Sequence, residues 1–311
     1  MQTSNKVLMI SPNGFMHNSE TAGSNAFQQV LEMTGAEIRV AALAEFEAMV
    51  YQLRTNDIEV LVFDDLSIPP NPDAVFPNNW FSTHPDGSLI LYPMHAPNRR
   101  PEKRKDIMDM LQHDYQVDRI VDLSYFESSN KFLEGTGSMV FDHINKTVYA
   151  CMSERTYREP LIQAAGILGY QVVCFRSNDR NGKEVYHTNV MLSIGSEFAL
   201  ICAESITDMS EQEFVLRQLN LAGKEVIVVS LSQMHQFACN ALEVKNKTGE
   251  SITVLSQSAY DSLKKDQKTK LTAHTLLLPV SLTVIETTGG GSARCMLAEI
   301  FLPRKVLNTT P

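Results

Sequence analysis

Residues 139–175 read MVFDHINKTVYACMSERTYREPLIQAAGILGYQVVCF, and the order of elements in this stretch carries the fold in miniature. Met139–Phe141 and Val148–Cys151 are apolar runs too short for a helix, and each reads as a buried strand with no helical stretch between them. Arg155–Leu168 then spaces its apolar residues as a helix does, and Gln171–Phe175 is apolar again. Strand, strand, helix, strand is a ββαβ unit, which differs from the simple alternation of a doubly wound sheet. Outward from it the same grammar recurs. Val7–Ile10, Ile58–Phe63, Leu89–Tyr92, Phe198–Cys202, Val226–Ser230 and Ser281–Ile285 read as strands. Ala41–Arg54, Glu102–Gln112 and Ser210–Leu221 read as helices, the first with Leu43, Phe46, Val50 and Leu53 on one face, the last opening on Ser210 and Glu213 at capping-box spacing. The expected class is α/β, built from repeated ββαβ units, although the residues themselves show no internal repeat.

Composition bounds what such a fold is for. With 311 residues, 43% of them hydrophobic, the chain has enough apolar side chain for a large core, and no Gly-, Ser- or Pro-rich linker divides it. A single domain over 1–311 is expected. The formal charge of −9 and the lack of a cationic run remove the electrostatic basis for nucleic-acid binding. The five cysteines, at 151, 174, 202, 239 and 295, show no CxxC spacing, so neither a disulfide framework nor a zinc site is expected. Met1–Ile10 holds a four-residue apolar run, short of a signal-peptide core, and no stretch approaches a membrane span, so the expected place is the cytoplasm, with no membrane partner.

Chemistry concentrates in a few strings. Thr287-Thr288-Gly289-Gly290-Gly291-Ser292-Ala293-Arg294-Cys295 puts a thiol after three glycines, which let backbone N–H groups approach a ligand closely. Cys295 reads as a nucleophile or as a small core hydrophobe, and Arg294 favours a thiolate if its side chain turns the same way. His187, after the polar loop Ser177–Tyr186 and at the head of an apolar run, suits a general base or a structural role. Glu134, in Glu134-Gly135-Thr136-Gly137-Ser138, can orient an imidazole or sit in a solvated turn. Pro72-Asp73-Ala74-Val75-Phe76-Pro77-Asn78-Asn79-Trp80-Phe81 sets two adjacent amides beside aromatic residues, which suits a polar uncharged ligand or an Asx turn. Pro97-Asn98-Arg99-Arg100-Pro101-Glu102 offers arginines at a Pro-initiated helix start, where one can clamp a carboxylate.

Taken together, these strings resemble the amidinotransferase or pentein superfamily, which includes arginine deiminases and dimethylarginine dimethylaminohydrolases. The likeness runs from about Ser11 to Leu302 through five ordered matches. They are the Asp73-to-Glu102 segment, Glu134-Gly135-Thr136-Gly137, Ser153-Glu154-Arg155-Thr156, His187 and Cys295. The resemblance implies a five-bladed pseudo-symmetric α/β propeller of ββαβ units and a triad of Cys295, His187 and Glu134. Relatives that hydrolyse guanidino groups carry carboxylates where this chain has Asn78 and Asn79, and the arginine deiminases carry His-x-Asp where it has His187-Thr188-Asn189. An unpaired cation among neutral amides costs several kcal/mol on desolvation, roughly, whereas a ureido group needs only matched donors and acceptors. The asparagine-rich version is similar to the citrulline ureidase branch, which cleaves citrulline to ornithine, carbon dioxide and ammonia.

That likeness implies that Asn78, Asn79 and Asn189 hold the ureido group, Asp73 one of its N–H groups and Arg99 the substrate α-carboxylate. His143 falls near a second carboxylate-binding arginine of the relatives. No metal or other cofactor is implied, the expected partner is a small amino acid bearing a ureido or guanidino group, and a homodimer is the assembly entertained. The alternatives are a guanidino hydrolase acting on arginine or methylated arginine, an amidinotransferase, and a binding protein of the same fold without catalysis.

Overall fold

The computed structural model describes residues 1–65 and 67–305. Its strands form five sheets of three strands each, in which every sheet pairs an antiparallel neighbour and a parallel one on a central strand. The first sheet places β1 (Lys6–Ser11) parallel to β2 (Glu59–Asp64). The second holds β3 (Phe81–Thr83), β4 (Ser88–Leu91) and β5 (Arg119–Asp122), and the third β6 (Val140–Asp142), β7 (Thr147–Cys151) and β8 (Gln171–Phe175). The fourth holds β9 (Leu192–Ile194), β10 (Phe198–Ile201) and β11 (Glu225–Val228), and the fifth β12 (Leu242–Lys245), β13 (Ser251–Ser256) and β14 (Leu276–Val280). Finally β15 (Ala298–Glu299) returns to β1 as its antiparallel partner, so the first sheet is completed from the far end of the chain.

Each sheet is thus one ββαβ unit, with a helix connecting its second and third strands. That helix is required because parallel strands need a crossover connection, while the antiparallel pairs of the other four sheets close through short turns. The longest, Gly35–Thr55, starts at a capping box between Thr34 and Glu37 and buries Ile38, Ala42, Phe46, Met49, Val50 and Leu53 against its sheet. At about 1.5–3 kcal/mol for each fully buried side chain, that face is what holds the helix down. Central strands carry apolar runs: in β1, Val7, Leu8, Met9 and Ile10 are all essentially inaccessible. Around the middle of the molecule β15 packs on β3, β6 on β9, and β9 on β12, while the short helix Gly135–Ser138 touches both β3 and β6. Among the described residues no helix is long and apolar enough to cross a membrane.

Three readings of the sequence are corrected. Ser281–Ile285 is not a strand: Thr283–Gly289 is helical, and the strand of that unit is Leu276–Val280, just upstream. The reason is a cap from elsewhere, since the Glu45 carboxylate accepts the N–H groups of Val284 and Ile285 at 2.9 and 3.0 Å. The Ser210–Glu213 box does not form; Asp208 caps that helix by accepting from Ser210 N and Glu211 N. The helix expected over Glu102–Gln112 starts only at Lys105 and runs to Asp114: Glu102 ends a 3-10 segment, Pro97–Glu102, and Lys103 and the extended Arg104 separate the two. The unit in 139–175 stands as read, apart from a helix that begins at Arg158.

Candidate active site

The first strand of every sheet is entered through a short turn, and these turns converge. Asn78 and Asn79 lie in the 3-10 turn before β3, Glu134 caps the helix Gly135–Ser138 before β6, and His187 caps Thr188–Met191 before β9. Cys295 lies in the turn Ala293–Met296 before β15. His187 therefore stands ahead of a four-residue helix rather than at the head of the strand itself.

Cys295, His187, Asp73, Asn79 and Arg99 line one cleft, together with Thr21, Arg155, Tyr186 and the glycines 289–291. His187 Nε2 is 2.8 Å from Glu134 Oε2, and both side chains are buried. Burial works against a charged Glu134, yet the Arg155 guanidinium, the His187 hydrogen bond and Arg99 together hold its carboxyl well below the usual range. An ionised carboxylate only accepts, so the facing Nε2 carries the hydrogen and Nδ1 keeps a lone pair. Burial pushes His187 down to about 4 against the pull of Glu134, so at neutral pH the ring is uncharged and its Nδ1 is a base. Gly137 forms the floor here: a Cβ on it would come within 2.5 Å of Asn79 Nδ2 and 2.7 Å of His187 Nδ1. Gly135 is needed for a second reason, a φ of +46° and a Cβ position only 2.3 Å from the Asn78 carbonyl oxygen.

The remaining candidates fall into different places. Arg99 lies in the cleft, but its Nε and Nη2 bond both oxygens of Glu102 at 2.8 and 2.9 Å, and its Nη1 donates to Asn79 Oδ1 at 3.0 Å. Because a guanidinium only donates, this bond decides the orientation of the Asn79 amide and leaves Nδ2 as its free end. Asn79 Nδ2, Asp73 Oδ1 and Asn189 Oδ1 are buried without a partner among the described residues. Asp73 Oδ2 accepts Asn18 Nδ2 at 2.7 Å. Asn78 does not line the cleft; its side chain is buried beside it and its carbonyl accepts the Thr136 hydroxyl. Asn189 lies behind the thiol, Nδ2 at 3.5 Å from Cys295 Sγ. Arg294 turns away from the sulfur to Leu297 O and Glu299. His143 is outside the cleft, stacked on Phe141 and bonded to Tyr170.

Sequence reasoning passed over four lining residues, Thr21, Asn25, Arg155 and Tyr186, and one neighbour of the thiol. Arg155, quoted only as part of a motif, is the second guanidinium of the cleft: its Nη1 is 3.5 Å from Glu134, and Nε donates to Ser24. Tyr186 packs its ring under Arg155 at 4.9 Å and donates its hydroxyl to Gly290 O. Asn240 Nδ2 is 3.3 Å from Cys295 Sγ. Arg155 and Tyr186 were findable as the neighbours of matched residues; Asn240 stands in no motif. Among the described residues no His, Cys, Asp and Glu cluster has the form of a metal site.

The family described as N,N dimethylarginine dimethylhydrolase, eukaryotic, matches residues 11–302. The chain belongs to this family, within the pentein amidinotransferase-type superfamily, and so to hydrolases of carbon–nitrogen bonds that modify guanidino-type groups. No curated protein sequence matches it. Solved structures resemble its fold. The N-terminal domain of ArgZ, described as an arginine dihydrolase from the ornithine-ammonia cycle in cyanobacteria and bound to substrate, aligns with a TM-score of 0.72 at 17% identity, over 96% of this chain and 99% of that one. A variant of the same domain, covalently bound to a reaction intermediate, gives 0.74 at 18% identity over 96% and 99% of the two chains. The dimethylarginine enzyme of Pseudomonas aeruginosa, as a mutant complexed with citrulline, gives 0.65 at 14% identity over 98% and 100%.

Proposed function

We propose that this chain is a single domain over 1–311, a closed five-bladed propeller, that hydrolyses the ureido group of citrulline to ornithine, carbon dioxide and ammonia. The five equivalent sheets, and the return of β15 to β1, support the closed ring. The observation that carries the substrate is the Asn79 amide. Arg99 holds its oxygen, so the end left for a ligand is an N–H donor, in the same cleft as the unpartnered acceptor Asp73 Oδ1. A ureido group offers one carbonyl acceptor and several N–H donors, which matches. A guanidinium offers donors only, and a buried donor facing it loses about 1–3 kcal/mol.

In the reaction the Cys295 thiol passes its proton to His187 Nδ1, and the sulfur bonds to the ureido carbon. Glu134 steadies the imidazolium. That imidazolium protonates the departing nitrogen as its C–N bond breaks, leaving a thioester on Cys295. Water then gives a proton to His187 and its hydroxide to the thioester carbon. The C–S bond breaks, and the released carbamate falls apart into carbon dioxide and an amine. Arg155 Nη2 is taken by Thr21 O and the Ser24 hydroxyl, so its Nη1, 3.5 Å from Glu134, is the end that serves the substrate carboxylate, while Arg99 serves Asn79.

Asp73 supports a second reading, in which arginine enters first and its guanidinium is held by that carboxylate. Mass-resolved product analysis with citrulline and arginine in parallel, with Cys295→Ser as the blank, separates the two. Ornithine from citrulline alone is the expected result; citrulline accumulating from arginine overturns it in favour of a guanidino hydrolase. Asn79→Asp replaces the donor with an acceptor and is expected to shift the ratio of kcat/KM values toward arginine by about tenfold or more.

A further inference from the structure

The turns that enter the five first strands are equivalent positions in a repeated unit, so what occupies one predicts a use for the others. Asn79 precedes Phe81, the start of β3, Ser138 precedes Val140, the start of β6, and Asn189 precedes Leu192, the start of β9. Cys295 precedes Ala298, the start of β15, in the same way. The fifth such turn, ahead of Leu242 and β12, holds Asn240, wholly buried and outside every sequence motif. Its Nδ2 lies 3.3 Å from Cys295 Sγ and also donates to Asn189 O at 3.1 Å. Its Oδ1 accepts the Arg294 backbone N–H at 3.0 Å, and the sulfur stands 3.6 Å from that oxygen. A backbone N–H only donates, so the bond to Arg294 determines which end of the amide is the oxygen and leaves the N–H end as the nearer of the two to the sulfur.

We infer that Asn240 is a positioning residue for Cys295: its amide N–H, held in orientation by the Arg294 backbone, stabilises the thiolate and keeps it facing the cleft. The inference rests on Cys295 being the nucleophile. Among the described residues no cation bonds the sulfur, since the Arg294 side chain is spent on Leu297 O and Glu299. Two neutral amides, Asn189 and Asn240, take the place a cation would otherwise hold, and hydrogen bonds to an ionised group are the stronger kind. The other titratable groups around the thiol are Asp73, Arg99, Arg155, Tyr186 and His187 across the cleft, with Glu134 behind the imidazole. None of them is touched by a change at Asn240.

The test is the rate of Cys295 alkylation by iodoacetamide, followed on the Cys295 peptide by mass from pH 6 to 10, for the parent and for Asn240→Asp. That variant keeps an oxygen for the Arg294 N–H and removes the donor to sulfur. Alkylation at pH 7 is expected to be slower by about tenfold or more, with the deficit closing at the alkaline end as thiolate forms without help. A structural role alone leaves the shape of the profile unchanged, and an unchanged profile in folded protein overturns the inference. Asn240→Ser, too short to reach the sulfur, removes the donor without setting a carboxylate beside the thiol, so the same slowing in that variant supports the inference and an unchanged profile in it overturns the inference, repulsion by the aspartate being set aside. Product formation retained by Cys295→Ser would instead sink the nucleophile reading, a separate result from either profile.

Discussion

His84 and His187 are both buried histidines that burial has pushed down to about 4, yet they sit in opposite circumstances. His84 bonds the Ser82 hydroxyl at 2.8 Å, which in turn meets Tyr92, and its Nδ1 is buried without a partner among the described residues. His187 bonds an ionised carboxylate at the same distance and lines the cleft that holds Cys295. The teaching is that neither burial nor a lowered basicity marks a catalytic histidine. What separates the two is a carboxylate behind one ring, which selects the tautomer and stabilises the charge that forms during a reaction.

That contrast can be broken in order of expected effect. His187→Asn removes the proton carrier, and kcat for citrulline is expected to fall by about 10⁴, read by the same product analysis. Glu134→Gln gives His187 a neutral neighbour, as His84 has; kcat is expected to fall by about 10³, and the variant to melt lower because Arg155 loses its buried partner. Chemical denaturation against pH reads both rings together with His143 and His235, whose protons burial also loosens, so the single variants are compared with the parent. Each folded histidine holds its proton less tightly than the unfolded chain, whose value is near 6.5, so stability is full above about pH 6.5. It is lost as pH falls toward 4, by at most about 3 kcal/mol for each ring. A flat profile over that window would contradict the buried, neutral state of both. The smallest effect belongs to His84→Gln: about 1–2 kcal/mol of stability at neutral pH, a shallower loss in acid, and kcat unchanged within about twofold.

Much of the site was legible because its residues announce themselves locally. A thiol after three glycines, an acidic residue ahead of Gly135 and Gly137, and paired amides after a proline are unusual strings, and Cys295, Glu134 and Asn79 lie in them. Their meeting was not legible, since His187 and Glu134 are 53 residues apart and the sulfur stands 106 from Asn189. Arg99 shows the limit most clearly. As a string it is an arginine at a helix start, free to clamp a ligand; in three dimensions Glu102 occupies its fork and Asn79 takes another donor.

The sequence by itself determined the short buried strands, the ββαβ order in 139–175, and the residue types able to run thiol chemistry, because apolar periodicity and turn chemistry act between near neighbours. Only the tertiary structure decided that five such units stand equivalent, since their likeness lies in strand order and not in side chains. It alone turned Thr283–Gly289 into a helix, through a carboxylate on a helix more than two hundred residues away. It alone brought Asn240 to the sulfur. Hydrogen-bond direction is a property of pairs, and the partners that orient Asn79 and Asn240 are distant along the chain.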